Sequence, residues 1–437
     1  MRKILFSVLG CLVAVRAHAA QIVNVDYVHK LIAQKWDVSV PIKADSPMQV
    51  ANMKYLLTAV DVANEILNGE KTTDYGNGEF ATLQVADTVA TNQAVETLVK
   101  KIDKGPEFTL TTTDDTDSFE FSISAAGEFI VDWGDGTVET ITKPDTTKTT
   151  YSHNYATANT YTIGLSGQAT AYNTSTAAIS FYVNSSQTKI ASIDGSLGAI
   201  FGTLSSDTNN QPRFYQTFYK ATNMTGSIPS DLFAGISGAP AERMFYSTFA
   251  YCSGLTSIPS DLFAGISGAP ASYMFYETFR DCTGLTSIPS DLFAGISGAP
   301  ASYMFYSTFY GCSGLTGAIP DGLFAGISGA PAEGMFQQTF RGCSGLTSIP
   351  ENLFGNISGV LLYSDSLFAM FAGCTSLTGP SARINGQYLY EIWPNVSFYN
   401  SVGSYVIGPY YQCTGLSDYN QIPNNWKVYV DNTGMFQ

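Results

Sequence analysis

Residues able to do acid–base chemistry are few in this chain. It holds 3 histidines in 437 residues. His18 falls in a segment expected to be removed, which leaves His29 and His153. A hydrolytic triad needs histidine as the base that takes the nucleophile's proton. No nucleophile pattern accompanies either one, so His153, within Ser152-His-Asn-Tyr155, reads as a structural hydrogen-bonding residue. Neither a glycine-rich phosphate loop nor an H-E-x-x-H helix is present. Asp132 and Asp135 flank a tight turn, and Asp114, Asp115 and Asp117 precede them. Close carboxylates can hold Ca²⁺, cap turns through Asx hydrogen bonds, or act as the pair of a glycosidase. The sequence does not set their separation, and turn capping asks least of it. No catalytic residue, metal or cofactor is assigned, and the chain is expected not to be an enzyme.

Cysteine is the next reactive type. Beyond Cys11 there are six, at Cys252, Cys282, Cys312, Cys343, Cys374 and Cys413. An even count in an exported protein invites disulfides. The steps between them are 30, 30, 31, 31 and 39 residues, one cysteine per repeat. Stacked repeats would bring such residues to about 4.8 Å per step, just within reach of a bridge. Ala221 occupies the same place in an earlier copy, so a small apolar group suffices there. Free buried thiols are the preferred reading; zinc would want C-x-x-C clusters.

These cysteines belong to a sequence that copies itself. Ser227–Ala241 reads SIPSDLFAGISGAPA and returns at Ser257–Ala271 and Ser287–Ala301. Self-similarity at such a period implies stacked repeats. Comparing copies separates fixed from drifting positions. Phe245/Phe275/Phe305/Phe336 and Phe249/Phe279/Phe309/Phe340 are fixed, as are Leu255, Leu285, Leu315 and Leu346. These are the expected core. The drifting places hold Arg243, Tyr246, Tyr276, Arg280, Tyr306, Tyr310 and Arg341, the expected surface. Tyr and Arg are the residues that anchor interfaces, so these seven form the candidate ligand-binding surface. Phe275, Phe279 and Cys282 follow i, i+4, i+7, which predicts a helix over Pro270–Asp281, ended by Gly284. A short strand is expected over Leu285–Ile288, closed by Pro289. The extra residues Gly226 and Gly317 read as bulges.

The string T-F-x-x-C-[ST]-G-L-T-S-I-P resembles the BspA-like leucine-rich repeats of bacterial surface proteins, over about residues 214 to 437. It has Thr where that family often has Ala, and longer units. The resemblance implies an α/β leucine-rich-repeat-like solenoid of about seven repeats over 191–437, and adhesion to host or neighbouring-cell proteins.

Three regions precede the repeats. Residues 1–19 read as a signal peptide: Arg2 and Lys3, an apolar run, then Ala17-His18-Ala19. Val8-Leu9-Gly10-Cys11 offers a rival lipoprotein reading on a short apolar run. Residues 20–105 read as helical, with one helix starting at the capping box Ser46-Pro47-Met48-Gln49 and a second ending near Ile102. Residues 106–190 alternate as strands do: Phe119, Phe121, Ile123; Phe129, Val131; Tyr161, Ile163, Leu165. Within them Val131-Asp-Trp-Gly-Asp-Gly-Thr137, His153-Asn-Tyr155 and Asn159-Thr-Tyr161 resemble a PKD-like domain. That implies an all-β immunoglobulin-like sandwich acting as spacer or binding module.

Charge narrows the partners. Charged residues are 13% and the net charge is −15, so the basic face that nucleic acid requires is missing. No run beyond the leader reaches the roughly 18 apolar residues of a spanning helix. The expectation is a secreted or cell-surface, adhesin-like protein that binds an extracellular or host protein. Carbohydrate binding through the exposed aromatics, and a purely structural envelope spacer, are the alternatives.

Overall fold

The computed structural model describes residues 106–204, 210–355, 357–359, 363–398 and 406–430. All of them after Pro106 lie in one compact unit, Glu107–Gln437. The leader expected at 1–19 and the helical region expected at 20–105 lie outside the described residues.

Alternation of apolar residues builds the first part. The strands are β1 (Phe108–Thr112), β2 (Thr116–Ile123), β3 (Ala125–Asp132), β4 (Val138–Lys143), β5 (Thr149–Asn159), β6 (Thr162–Tyr172), β7 (Ile179–Ser180) and β8 (Ile190–Gly195). They form a five-stranded sheet, β4-β3-β6-β1-β8, and a three-stranded sheet, β5-β2-β7. Every pairing in both is antiparallel. Phe119, Phe121, Phe129, Val131, Ile163 and Leu165 are all buried. Phe108 meets Phe181 at 5.9 Å and Phe121 meets Trp133 at 5.6 Å, so the two sheets share one core. A four-residue helix, α1 (Leu197–Ile200), follows. Its Gly198 N–H donates to Leu232 of the first repeat at 2.9 Å. A Cβ on Gly198 would stand 2.3 Å from the Ala234 carbonyl oxygen, so glycine permits this approach.

The repeats do not form the expected α/β leucine-rich-repeat solenoid. Among the described residues the regular elements are mostly strands in several sheets, helix is confined to a few single turns, and the repeats themselves are largely turns. Pro270–Asp281 in particular is not helical. It is a run of turns with a period of four, in which Tyr273, Glu277 and Asp281 take φ of 57°, 53° and 54°. Thr278 N–H donates to Phe275 and Cys282 N–H to Phe279, each at 3.2 Å, three residues back. The alternate N–H groups leave the unit. Those of Phe275, Glu277 and Phe279 reach the carbonyls of Met304, Tyr306 and Thr308 in the next copy, at 2.9, 2.8 and 2.9 Å. A left-handed residue at every fourth position bends the chain back, so i and i+4 face inward here as they would on a helix. Apolar spacing alone cannot separate the two periods. Identical neighbours decide between them, because each copy offers carbonyls to the N–H groups that an α-helix would pair internally.

The strand expected at Leu285–Ile288 is also absent. Short parallel pairs form at the same place in other copies: β9 (Gly226–Ser227) with β10 (Leu255–Ser257), and β11 (Gly317–Ala318) with β12 (Leu346–Ser348). Each pair carries a register shift, and Gly226 and Gly317 sit there at φ 88° and 78°. A hairpin of β13 (Arg383–Ile384) and β14 (Gln387–Tyr388), the turn α2 (Leu389–Ile392), and the antiparallel pair β15 (Val406–Ile407) and β16 (Tyr429–Val430) finish the described chain.

Inside the repeats, equal residues lie one above another. Phe249, Phe279, Phe309 and Phe340 stack at 5.6 Å per step, with planes 1–8° apart. The six cysteines are free and buried. Each Sγ donates to the carbonyl of a phenylalanine in the preceding copy, Cys282 to Phe249 at 3.0 Å and Cys312 to Phe279 at 2.9 Å. Thr278 and Thr308 do the same to Phe245 and Phe275, both at 2.9 Å. Cysteine thus serves as a small apolar filler that also satisfies a carbonyl, and burial pushes these thiols well above their ordinary range.

Candidate interaction surface

The four-residue turns sort each copy's side chains. Phe275, Thr278, Phe279 and Cys282 point inward and are fully buried. Tyr273, Tyr276, Glu277, Arg280 and Asp281 remain part-exposed. Each outward position makes a column along the repeats. One is Tyr215, Tyr246, Tyr276, Tyr306, with ring centroids 4.9, 4.4 and 4.3 Å apart. Tyr246–Tyr276 and Tyr276–Tyr306 are parallel to 7° and 2°. Both faces of Tyr246 and Tyr276 are therefore covered, and what reaches solvent is the ring edge with its hydroxyl. Burial raises the Tyr246 phenol to about 12. Burial, then the neighbouring Tyr306, takes Tyr276 above the ordinary phenol range. Tyr246 and Tyr276 therefore carry neutral hydroxyls.

Beside it runs a second column in which cations alternate with rings. Arg280 lies over Tyr251 and Tyr310, at 5.7 and 4.6 Å. Arg341 covers Tyr310 at 5.6 Å, and Lys220 stands 5.2 and 5.7 Å from Tyr219 and Tyr251. Arg243 caps Tyr273 at 5.1 Å, and Tyr273 stacks on Tyr303 at 5.0 Å. Arg280 is ion-paired to Glu277 and, at 3.2 Å, to Asp281. Burial would lower its pKa, but those two carboxylates outweigh it and hold the guanidinium charged.

All seven sequence-chosen residues lie on this face. Arg243 is exposed, and Tyr246, Tyr276, Arg280, Tyr306, Tyr310 and Arg341 are half-buried. Three residues that occupy the same drifting positions in other copies, and were expected at the surface, are not there: Ala250, Gly334 and Gln337 are buried. Sequence reasoning did not select Tyr215, Tyr219, Lys220 or Tyr251. It compared the copies only at the i−2, i+1 and i+5 places of the four units after Phe245, which left out Tyr215 and Tyr219 of the earlier copy, and it passed over the residue before each cysteine, which a period of four also turns outward. The aromatic and basic residues recurring there were the available signal.

No family model, curated protein or solved structure matches this chain. The surface is therefore read on its own geometry.

The carboxylates of the sandwich serve turns. Asp132 Oδ1 accepts from Gly134 N–H and Asp135 Oδ1 from Thr137 N–H, both at 2.9 Å. Asp135 Oδ2 lies 2.8 Å from His153 Nε2. Burial would raise the Asp135 carboxyl, but His153 and Thr137 together hold it below its usual value. His153 stacks on Trp133 at 5.1 Å, and Tyr155 OH donates to the Trp133 carbonyl at 2.8 Å. Asp114, Asp115 and Asp117 are exposed. Asp117 pairs with Lys189 at 2.9 Å, and Thr113 donates to Asp115 at 2.7 Å. Among the described residues no three metal-ligating side chains come together. No described helix is long and apolar enough to cross a membrane.

Proposed function

We propose that this chain is an exported, adhesin-like protein of the cell surface or extracellular space, holding an extracellular protein partner on the tyrosine–arginine face of its repeats. The observation that carries the reading is the unbroken column Tyr215–Tyr246–Tyr276–Tyr306 beside the Tyr251–Arg280–Tyr310–Arg341 column. Aromatic and Arg side chains already held in place lose little conformational freedom on binding, which suits them as anchors. The motif resemblance to BspA-like surface proteins supports the role, though not an α/β fold, and the PKD-like motifs suit a spacer before it. Stacking of sugars is disfavoured for Tyr246 and Tyr276, because a pyranose needs a free ring face.

The test is capture of extracellular and host-surface proteins on the immobilised full chain, repeated with Tyr246→Ser/Tyr276→Ser. A partner captured by the parent and lost by the variant is the expected result. Absence of any protein ligand, or capture unchanged in the variant, refutes the reading. A glycan array run in parallel would reveal a carbohydrate ligand instead. Protease added outside intact cells should destroy the protein if it stands on the surface.

A further inference from the structure

The side chains on this face include several where the backbone favours glycine. Lys220, Arg243, Tyr251, Tyr273 and Tyr303 take φ of 61°, 57°, 66°, 57° and 57°. At equivalent places further along, the chain uses Gly311, Gly334, Gly342 and Gly373, with φ of 70°, 56°, 76° and 77°. The same turn is thus made without strain where no side chain is wanted. Bulky residues persist in left-handed conformation only where something compensates, and such strain gathers at functional sites. Here the strained residues meet one another at the surface: Lys220 with Tyr251, Arg243 with Tyr273, and Tyr273 with Tyr303.

Charge says what they face. All five Lys and Arg residues between positions 213 and 343 fall on these segments, while Asp231, Asp261, Asp291 and Asp321 all lie outside them. The face sets five cations, Arg213, Lys220, Arg243, Arg280 and Arg341, against four carboxylates, Glu242, Glu277, Asp281 and Glu333, the last accepting from Tyr303 OH at 2.7 Å. Among the described residues no carboxylate pairs with Lys220 or Arg341; their contacts are with tyrosine rings. At the roughly 4.8 Å spacing of laterally paired chains, four steps separate the two by roughly 20 Å, a distance spanned by about six extended residues.

We infer that this strip docks an acidic, extended polypeptide segment, its carboxylates meeting Lys220 and Arg341 at the two ends and its backbone meeting the tyrosine hydroxyls between. The inference rests on the protein-binding reading above and narrows it to a partner chemistry. The covered ring faces favour a hydrogen-bonding polypeptide over a stacked sugar.

The probe is a fluorescent Glu/Asp/Gly peptide of about ten residues, titrated against the full chain. Anisotropy is read at about 50 mM and about 500 mM salt, since screening weakens exposed charge pairs. The expected result is saturable binding at low salt that fades at high salt. Affinity should fall about tenfold or more in Lys220→Gln/Arg341→Gln, the loss of two charge contacts. Tyr251→Gly/Tyr273→Gly should lose binding with a melting temperature unchanged or raised, because glycine relieves the strained backbone. A merely structural role for these tyrosines would lower the melting temperature instead. No binding at low salt, binding equal in parent and charge variant, or preference for polygalacturonate over the peptide overturns the inference. If the peptide fails while the full chain still captures a protein through Tyr246 and Tyr276, the partner chemistry falls and the protein-binding reading stands. If both assays are empty, both fall.

Discussion

Gly342→Ala decides between a helix and four-residue turns, because the two predict opposite signs. Gly342 holds the place of Asp281 and Tyr251, one residue before the cysteine, at φ 76°. A Cβ there would find its nearest neighbour, Gly311 Cα, at 3.6 Å, an ordinary contact, so sterics contribute little. What remains is backbone conformation. An L-residue in the left-handed region costs about 1–2 kcal/mol. Alanine also narrows the unfolded ensemble, which returns about 0.4–1 kcal/mol. The net expectation is destabilisation by about 1 kcal/mol. Inside a helix the same substitution would stabilise by about 1 kcal/mol. Urea unfolding followed by tryptophan fluorescence measures the difference. A midpoint that falls with unchanged slope supports the turns. A midpoint that rises refutes them, along with the strain reasoning applied to Tyr251 and Tyr273.

Phe279→Ala should cost about 3–5 kcal/mol, toward the upper end, because Phe279 is fully buried and stacked at 5.6 Å on both Phe249 and Phe309; a loss under about 2 kcal/mol by urea titration would contradict the packing. The six thiols should ignore a thiol reagent in the native state and react together on unfolding, since each is buried and its pKa is raised, mainly by desolvation. Fast modification of any one would show an open column. Asp365→Asn should raise stability at neutral pH. Burial lifts the Asp365 carboxyl above the ordinary aspartate range, so its contribution is fullest below that range and is lost as pH rises through the folded pKa. A variant no more stable than the parent at pH 7, measured by urea, would count against this.

How far the sequence could be read depended on which signal was unique. Alternation at Phe119, Phe121 and Ile123 allows little but a strand with one buried face, and β2 is such a strand. Copy-to-copy constancy marked Phe279, Cys282 and Leu285 as interior, whatever the local geometry. The local geometry itself was not legible, because inward residues four apart suit a helix and a four-residue turn equally. The deciding clue was available in the copies: Gly311 and Gly342 stand where Asp281 and Tyr251 do, and glycine drifting into a column signals positive φ. The aromatic face was legible as composition, through Tyr246, Tyr276 and Tyr306. Its flat stacking was not, since that depends on how the rings lean between copies.

Ring spacing differs across the repeat. Phe233, Phe263 and Phe293 follow one another at 6.0 and 6.2 Å, but Tyr246, Tyr276 and Tyr306 at 4.4 and 4.3 Å. Backbone hydrogen bonds join the copies at similar lengths at both places, 2.9 Å from Ser297 N–H to Gly268 and 2.8 Å from Glu277 N–H to Tyr306, so the tyrosine rings lean together into face-to-face contact. Copies that pair through backbone groups must also be closed at the ends, or unpaired N–H and C=O groups would recruit other chains. At the first repeat, Ala178 and Phe181 N–H donate to Arg213 and Thr217 carbonyls at 2.8 and 2.9 Å. At the last, Gly408 and Tyr410 N–H donate to Val428 and Trp426 carbonyls, both at 2.9 Å, beneath a fully buried Trp426. Among the described residues each end of the repeats is thus met by hydrogen bonds from a flanking segment. The sides stay open, and the tyrosine–arginine edge is the side on which the chain retains bulky residues at positions where glycine would serve the backbone better.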